Sequence, residues 1–239
     1  GGSPTFSGAI SDGAGTLALR VSPAAGGQII LSGANSYSGG TTIASGRVHA
    51  ANASSFGTAG VTVSGNGQAF LSASSATYAN DFTISGNGWS EGAGQLGAIR
   101  FVNNTVSGSV TLAGNARLGA YGAHGYITGA VSVGAYDLNL YTQNGNLYLN
   151  GPVTGSGTIT KTGNYSAMFG GDNSGFAGTV NHNSSNMFFN SFSGGSAAAA
   201  WPYRALTSRA RAAGSARRRR VAGWAVTRSA EVAMSVVVV

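Results

Sequence analysis

The chain has 239 residues, of which 40 are glycine, none is cysteine and only 8% are charged. Ordinary globular domains carry about 25% charged residues, and disordered chains combine low hydrophobicity with high net charge. With 42% hydrophobic residues, this chain is typical of neither class. The missing cysteines exclude disulfides, thiolate metal sites and a cysteine nucleophile, and no apolar run is long enough for a transmembrane helix.

The net charge of +7 belongs to the last part of the chain. Residues 1–200 contain five basic and five acidic residues, whereas residues 201–239 contain eight arginines and one glutamate. A basic domain surface is the usual footprint of nucleic-acid binding, so we predict no nucleic-acid partner. The chain starts at Gly1 without a leader sequence, and we interpret it as a fragment of a longer polypeptide.

Short strands follow one another through the first 196 residues. Most alternate apolar and polar residues, and clusters of glycine, asparagine and serine end them after a few positions. No stretch has the spacing of an amphipathic helix over a useful length. Representative predicted strands are Thr16–Leu19, Gln28–Leu31, Val61–Val63, Val110–Leu112 and Val131–Val133.

Two segments of the chain are similar to each other. Leu31–Ile43 (LSGANSYSGGTTI) and Phe169–Val180 (FGGDNSGFAGTV) both place an asparagine and an aromatic residue before Gly-Thr and a β-branched residue. Repetition of this kind is typical of stacked supersecondary units. The corresponding pairs are Asn35 with Asn173 and Tyr37 with Phe176.

A parallel β-solenoid accounts for these features. Coils of about 20–25 residues would divide residues 1–196 into about eight or nine turns, and a strand separation of about 4.8 Å would give a rod about 40 Å long. Leu, Ile, Val and Phe would fill a narrow interior, with Gly and Asn at the corners and Ser and Thr outside. We therefore predict one all-β domain over residues 1–196.

The segment Tyr136–Asn150 has two interpretations. Its apolar residues alternate on both sides of Asn144-Gly145, which is a strong signal for a β-hairpin. The same pattern fits two strands of one coil that meet at a tight corner. The sequence leaves both open.

The string LSGANSYSGGTTI resembles the autotransporter-associated β-strand repeat, and Ile30–Val48 follow that repeat closely. Ala53–Ser72 resemble its usual continuation, Gly151–Gly163 a second lead-in, and Phe169–Val180 a second core. The resemblance brackets most of residues 6–196. It implies a right-handed parallel β-helix in the passenger of a Gram-negative autotransporter.

The same resemblance implies a location and partners. Such a passenger is exported by its own C-terminal β-barrel translocator and is then exposed at the cell surface, on the outer membrane, or secreted. Passengers of this kind are commonly adhesins or virulence-associated proteins, so the expected partner is a host-surface protein or glycan. The repeat itself is expected to act as a stalk without chemistry, so we predict that the chain is not an enzyme.

Candidate chemical groups are few. The three histidines, His49, His124 and His182, are more than 50 residues apart and have no ligand at metal-binding spacing, so we predict no metal or cofactor. Asp81, Glu91 and Asp137 form no local pair of the kind that cleaves glycosidic bonds. We therefore predict no catalytic residues. Gly170–Asn173 faintly resembles a calcium-binding turn but occurs once, which favours an ordinary turn.

Tyrosines concentrate in one part of the chain. Aligned on one face of a rod, they would form a platform for sugars or a protein partner, although alternate members would face inward if they lie on one strand. We predict a binding strip here. Its members are Tyr121, Tyr126, Tyr136, Tyr141 and Tyr148.

Residues 197–239 differ from the rest in composition, with abundant Ala and Arg and the basic run Arg217–Arg220. Three interpretations compete: a basic tail for nucleic acid or anionic lipid, a linker to the translocator, and translation in a wrong reading frame. We favour the third, because the repeat pattern stops abruptly and the chain ends in four valines.

The primary prediction is a structural and adhesive stalk segment. A carbohydrate-active β-helix enzyme is the first alternative, and an acid-rich groove would support it. An outer-membrane β-barrel is the second, and it would need strands of about ten residues with aromatic girdles.

Overall fold

The computed structural model describes residues 3–23, 27–190 and 196–199. Within these residues the chain forms strands and turns but no helix, and the strands wind into a parallel solenoid of about nine turns. This confirms the predicted all-β parallel architecture. No helix that could cross a membrane occurs in the described part of the chain.

Most strands are short, and the longest have 10–12 residues. The first eleven are β1 (Thr5–Phe6), β2 (Leu19–Val21), β3 (Gln28–Leu31), β4 (Thr41–Ala50), β5 (Val61–Leu71), β6 (Thr77–Tyr78), β7 (Phe82–Gly86), β8 (Ser90–Glu91), β9 (Gly94–Gln95), β10 (Ile99–Phe101) and β11 (Asn104–Val106). The others are β12 (Val110–Tyr121), β13 (Gly125–Ile127), β14 (Val131–Gly134), β15 (Asp137–Gln143), β16 (Leu147–Leu149), β17 (Val153–Gly155), β18 (Thr158–Thr162), β19 (Ala167–Phe169), β20 (Thr179–His182), β21 (Met187–Phe189) and β22 (Ser196–Ala199).

Two parallel sheets run along the solenoid. The large sheet has 14 strands, with β1-β3-β4-β5-β10-β12-β15-β18-β20-β22 as its main path and β2, β7, β14 and β17 beside it. The second sheet has six strands in the order β21-β19-β16-β13-β11-β6. The exception to parallel pairing is the antiparallel hairpin β8–β9, which leaves the coil between β7 and β10.

Residues of successive coils lie side by side in register. Val61, Phe82 and Val110 are direct partners on β5, β7 and β12, although they are 21 and 28 residues apart in sequence. The row continues to Val131 and Val153. Side chains point to alternate faces of a strand, so apolar residues at every second position build one continuous interior.

That interior is closed by the second sheet. Its inward positions hold buried residues of similar size in successive coils, and each fully buried aliphatic or aromatic side chain contributes about 1.5–3 kcal/mol. This row consists of Tyr78, Val106, Ile127, Leu149 and Phe169. The hydrophobic core is therefore a thin column that follows the solenoid axis.

Four of the five representative strands are confirmed, at 28–31, 61–63, 110–112 and 131–133. The prediction for Thr16–Leu19 was wrong over its first three residues, because β2 begins at Leu19. Leu17 is 40% exposed, so its alternation with neighbours does not reflect burial.

The segment Tyr136–Asn150 forms a corner of one coil. β15 belongs to the large sheet and β16 to the second sheet, and each pairs in parallel with neighbouring coils. Asn144 turns the chain between them with φ of +62°, a conformation that asparagine tolerates well. The Asn-Gly signal therefore marks a change of sheet, not a hairpin.

Asn35 and Asn173 have the same role. Each side-chain oxygen accepts a hydrogen bond from a backbone N–H of the preceding coil, Ile10 at 2.9 Å and Val153 at 3.0 Å. Both asparagines are buried.

The aromatic residues of the two similar segments occupy different arcs of the coil. Tyr37 precedes Thr41, which lies in the row of Val61 and Phe82. Phe176 precedes Val180, which pairs with Ile159 in the other half of the large sheet. The likeness of these strings is therefore not a likeness of position.

The predicted domain boundary at residue 196 falls within a strand. β22 covers Ser196–Ala199 and pairs with β20. The rest of the predicted tail, residues 200–239, lies outside the described residues, as do its three interpretations.

Candidate functional site

The five tyrosines of the predicted strip do not lie on one face. Tyr126 and Tyr148 are register partners on the second sheet, with ring centroids 4.8 Å apart and planes only 12° from parallel. Tyr121 and Tyr141 lie on the large sheet, and Tyr136 is 40% exposed at a corner just before β15. The structure brings two of them together, and binding by any of them remains a prediction.

The stacked pair belongs to a longer outward row. Met168 and Phe188 follow Tyr148 in register on the next two coils, so four apolar side chains line the second sheet. All four are half-buried. Residues 168 and 188 escaped the sequence analysis because they are neither tyrosines nor close in sequence to the tyrosine cluster.

The large sheet carries a second feature, an insertion that covers its outer face. The register step from Phe82 to Val110 is 28 residues, whereas the step from Val61 to Phe82 is 21. The additional residues form the hairpin β8–β9, whose base is closed by a 2.9 Å hydrogen bond from the Gly97 N–H to the Asn87 carbonyl oxygen. We call residues 87–97 the hairpin insertion.

An ion-pair network holds the hairpin insertion on the sheet. Glu91 Oε2 accepts a hydrogen bond from Arg47 Nη1 at 2.9 Å and a second from Arg100 Nη1. The side chains of Glu91, Arg47 and Arg100 are only 12–14% exposed, so solvent screens the network weakly. Glu91 Oε1 is buried without a hydrogen-bond partner in the described part of the chain.

Aromatic rings surround the three arginines of this face. Arg47 lies 4.5 Å from the centroid of the Trp89 ring, and Arg100 lies 4.3 Å from that of Phe70. Arg117 lies 5.3 Å from the Tyr141 ring. Such cation–π contacts contribute about 0.5–2 kcal/mol each. The insertion is therefore clamped by charge and by ring contacts together.

His49 lies beside this clamp, with its ring 4.6 Å from that of Phe70. Burial lowers the pKa of His49, and the positive charges of Arg47 and Arg100 lower it further. The side chain is therefore neutral at neutral pH. It forms part of the wall of the clamp.

A polar groove adjoins the base of the hairpin insertion. It has a volume of about 430 Å³ and runs across the coils that carry β12, β15, β18 and β20. Its lining residues are Asn87, Asn115, Ala116, Asp137, Leu138, Asn139, Thr158, Thr160 and Asn181. Apart from Ala116 and Leu138, all of these side chains are amides, hydroxyls or a single carboxylate.

Several polar groups of the groove are open. Asn115 Oδ1 accepts the Asp137 N–H at 2.9 Å, and Asn139 Oδ1 accepts the Thr162 hydroxyl at 3.1 Å. By contrast, the Asp137 carboxylate and the Thr158 and Thr160 hydroxyls make no hydrogen bond to other described residues. The groove thus presents both acceptors and donors to solvent.

The three acids considered as a catalytic pair occupy different places. Asp81 accepts hydrogen bonds from the Ser109 N–H and hydroxyl at 2.7 and 2.8 Å, and these bonds lower the Asp81 pKa. Glu91 lies in the clamp and Asp137 in the groove. Among the described residues no group of three potential metal ligands occurs.

The histidines are equally dispersed. His124 Nδ1 accepts the Asn146 N–H at 3.0 Å and its ring packs edge-on against Tyr148, while His182 contacts the Ser185 carbonyl oxygen. The unequal register step was the available sequence signal for the hairpin insertion. The groove had none, because its residues are ordinary outward positions of separate coils.

Comparison with known proteins finds no match among protein-family models, curated proteins or solved structures.

Proposed function

We propose that this chain is a structural and adhesive stalk segment of the surface-exposed passenger of a Gram-negative autotransporter. The observation that carries the proposal is the uninterrupted parallel stacking of about nine coils. A solenoid of this kind holds binding surfaces on a stiff, extended support. The resemblance of Ile30–Val48 to the autotransporter-associated repeat supplies the class.

The distribution of charged side chains supports a binding role without catalysis. Glycoside hydrolysis normally uses two carboxylates that flank one bond. The groove contains only Asp137, while Glu91 is held between two arginines and Asp81 between groups of Ser109. This arrangement favours binding over cleavage, and so favours the adhesin over the carbohydrate-active enzyme.

The proposed partners follow from the same surfaces. A host-surface glycan or protein would meet the groove or the row of Tyr126, Tyr148, Met168 and Phe188. The chain's own translocator barrel would be the partner during export. A nucleic acid is not proposed, because Arg47 and Arg100 are engaged with Glu91 and Arg117 donates to the Gln95 carbonyl oxygen at 2.6 Å.

Protease treatment of intact cells that produce the native gene product tests the proposal. An antibody against residues 3–190 should label intact cells, and external proteinase K should remove that label while a periplasmic marker survives. Label that appears only after lysis would contradict surface exposure. The reading frame downstream provides a second test, because the proposal requires it to encode a β-barrel translocator.

A further inference from the structure

We propose that the groove beside the hairpin insertion is a binding site for a neutral oligosaccharide that lies along the solenoid axis. The inference deepens the proposed adhesive function by naming the ligand class and the residues. It requires only the folded chain.

The shape of the groove fits an extended ligand. Asn139, Thr160 and Asn181 are register partners on β15, β18 and β20, so they form a straight row across three coils. Asp137 and Thr158 form a parallel row two residues earlier on the same strands. With strands about 4.8 Å apart, these rows repeat along the axis at the scale of a polymer unit. The volume of about 430 Å³ lies within the range of small-molecule sites.

The chemistry of the lining fits hydroxyl groups. Each hydroxyl of a sugar both donates and accepts, so its site must offer both kinds of group. The groove offers the Asp137 carboxylate as acceptor, the Asn181 amide as donor and acceptor, and the hydroxyls of Thr158 and Thr160 as either. None of these four side chains makes a hydrogen bond to another described residue, so a ligand would not have to displace internal bonds.

Tyrosines border the groove on the same strand. Tyr136 directly precedes β15 and is 40% exposed, and Tyr141 lies on β15 two residues after Asn139. An aromatic ring presents a flat apolar face together with a polar tip, which suits the apolar face of a sugar ring. Amides, hydroxyls and rings therefore converge on one stretch of the large sheet.

The charge of the groove favours a neutral ligand. Asp137 is the one charged residue of its lining and is unpaired, which disfavours a uronate or a sulfate. The nearest arginine on the same row, Arg117, is the register partner of Asn139 and is already bonded to the Gln95 carbonyl oxygen. An acidic glycan would thus meet a free carboxylate before a free guanidinium.

The test is binding of the purified chain to an array of printed neutral and uronate-containing oligosaccharides, followed by calorimetry with the neutral hexasaccharide that binds best. In the variant Thr158→Val/Thr160→Val, which removes two hydroxyls at nearly constant shape, we expect affinity to fall about fivefold or more. The matched control is Thr83→Val/Thr111→Val, which makes the same change at outward register partners outside the groove. Its affinity should stay within about twofold of the unmodified chain.

Three results would overturn the inference: no binding to any neutral oligosaccharide, binding only to uronate-containing ones, or equal losses in the two double variants. Circular dichroism of both variants checks that they are folded, and Asp137→Ala gives an independent loss if the groove is the site. These outcomes are separate from the cell-surface experiment. Failure here removes the ligand and leaves surface exposure and the stalk role to be judged on their own result.

Discussion

Arg47 Nη1 and Glu91 Oε2 are 2.9 Å apart, although 44 residues of sequence separate them. The contact joins β4, in an early coil, to the hairpin insertion that leaves the solenoid two coils later. Arg100 binds the same oxygen from β10. One carboxylate therefore fixes the insertion against two different coils.

Replacement of Glu91 by Gln should release the hairpin insertion. The change leaves Arg47 and Arg100 close together without a counter-charge, and we expect the free energy of unfolding to fall by about 2 kcal/mol, somewhat less than for a fully buried pair. Hydrogen exchange should accelerate at the amides of residues 87–97. The control Asp81→Asn, on an exposed carboxylate with no arginine partner, should cost less than about 1 kcal/mol. Unchanged exchange in Glu91→Gln would show that the clamp does not hold the insertion.

Gly119 gives a steric test of the same contact. A Cβ added there would overlap the carbonyl oxygen of Leu96, where the insertion passes over β12. We expect Gly119→Ala to displace the insertion and to accelerate exchange at residues 87–97. Gly92→Ala, at the tip of the hairpin with no atom near its added Cβ, is the matched control. Equal exchange in the two variants would mean that β12 tolerates the insertion at a greater distance.

Asn35 should be important for stability out of proportion to its size. Its Oδ1 accepts the Ile10 N–H at 2.9 Å and its Nδ2 donates to the Ser55 carbonyl oxygen at 2.7 Å, so it ties three coils together. Asn35→Ala leaves these backbone groups unpaired and should cost about 1–3 kcal/mol in chemical denaturation. The exposed Asn66, changed to Ala, should cost less than about 0.5 kcal/mol. Equal losses would contradict the proposed role of the buried amide.

Lys161 should make stability depend on pH. Its side chain is fully buried, with Nζ donating to the carbonyl oxygens of Gly163 at 2.6 Å and Ser184 at 2.7 Å, and burial lowers its pKa from 10.5 to about 8. Between these values the unfolded chain binds the proton more tightly than the folded chain. The free energy of unfolding should therefore rise with pH, by at most about 1.4 kcal/mol per pH unit.

The comparison for this prediction is Lys161→Met, measured by urea denaturation at pH 7.5 and 9.5. The difference between the two proteins isolates the lysine from the tyrosines, which begin to titrate near the upper end of this range. We expect the rise to disappear in Lys161→Met. A rise of equal size in both proteins would assign it to other groups.

Much of the fold follows from local pattern. Val61, Val63 and their counterparts alternate with Thr62 in a way that buries one face of each strand, and this pattern needs no knowledge of neighbouring coils. Corners were harder to predict. The Asn144-Gly145 signal fits a hairpin and a change of sheet equally well, because both require a sharp turn.

The candidate site was predicted only in part. Tyr126 and Tyr148 come together because 22 residues separate them, about one coil, whereas Tyr121 and Tyr141 fall on another face. Glu91 was weighed as a catalytic acid, without the arginines that neutralise it. Which side chains meet depends on coil length, and a single longer coil changes the register of everything that follows.

The sequence alone determined that this chain is a charge-poor, all-β parallel solenoid, because alternation of side chains and frequent turns are properties of short segments. Only the tertiary structure decided where the hairpin insertion packs, which tyrosines stack, and that Asp137, Thr158 and Asn181 line one groove. The physical reason is that these contacts join residues of different coils, and their meeting is set by the winding of the whole backbone.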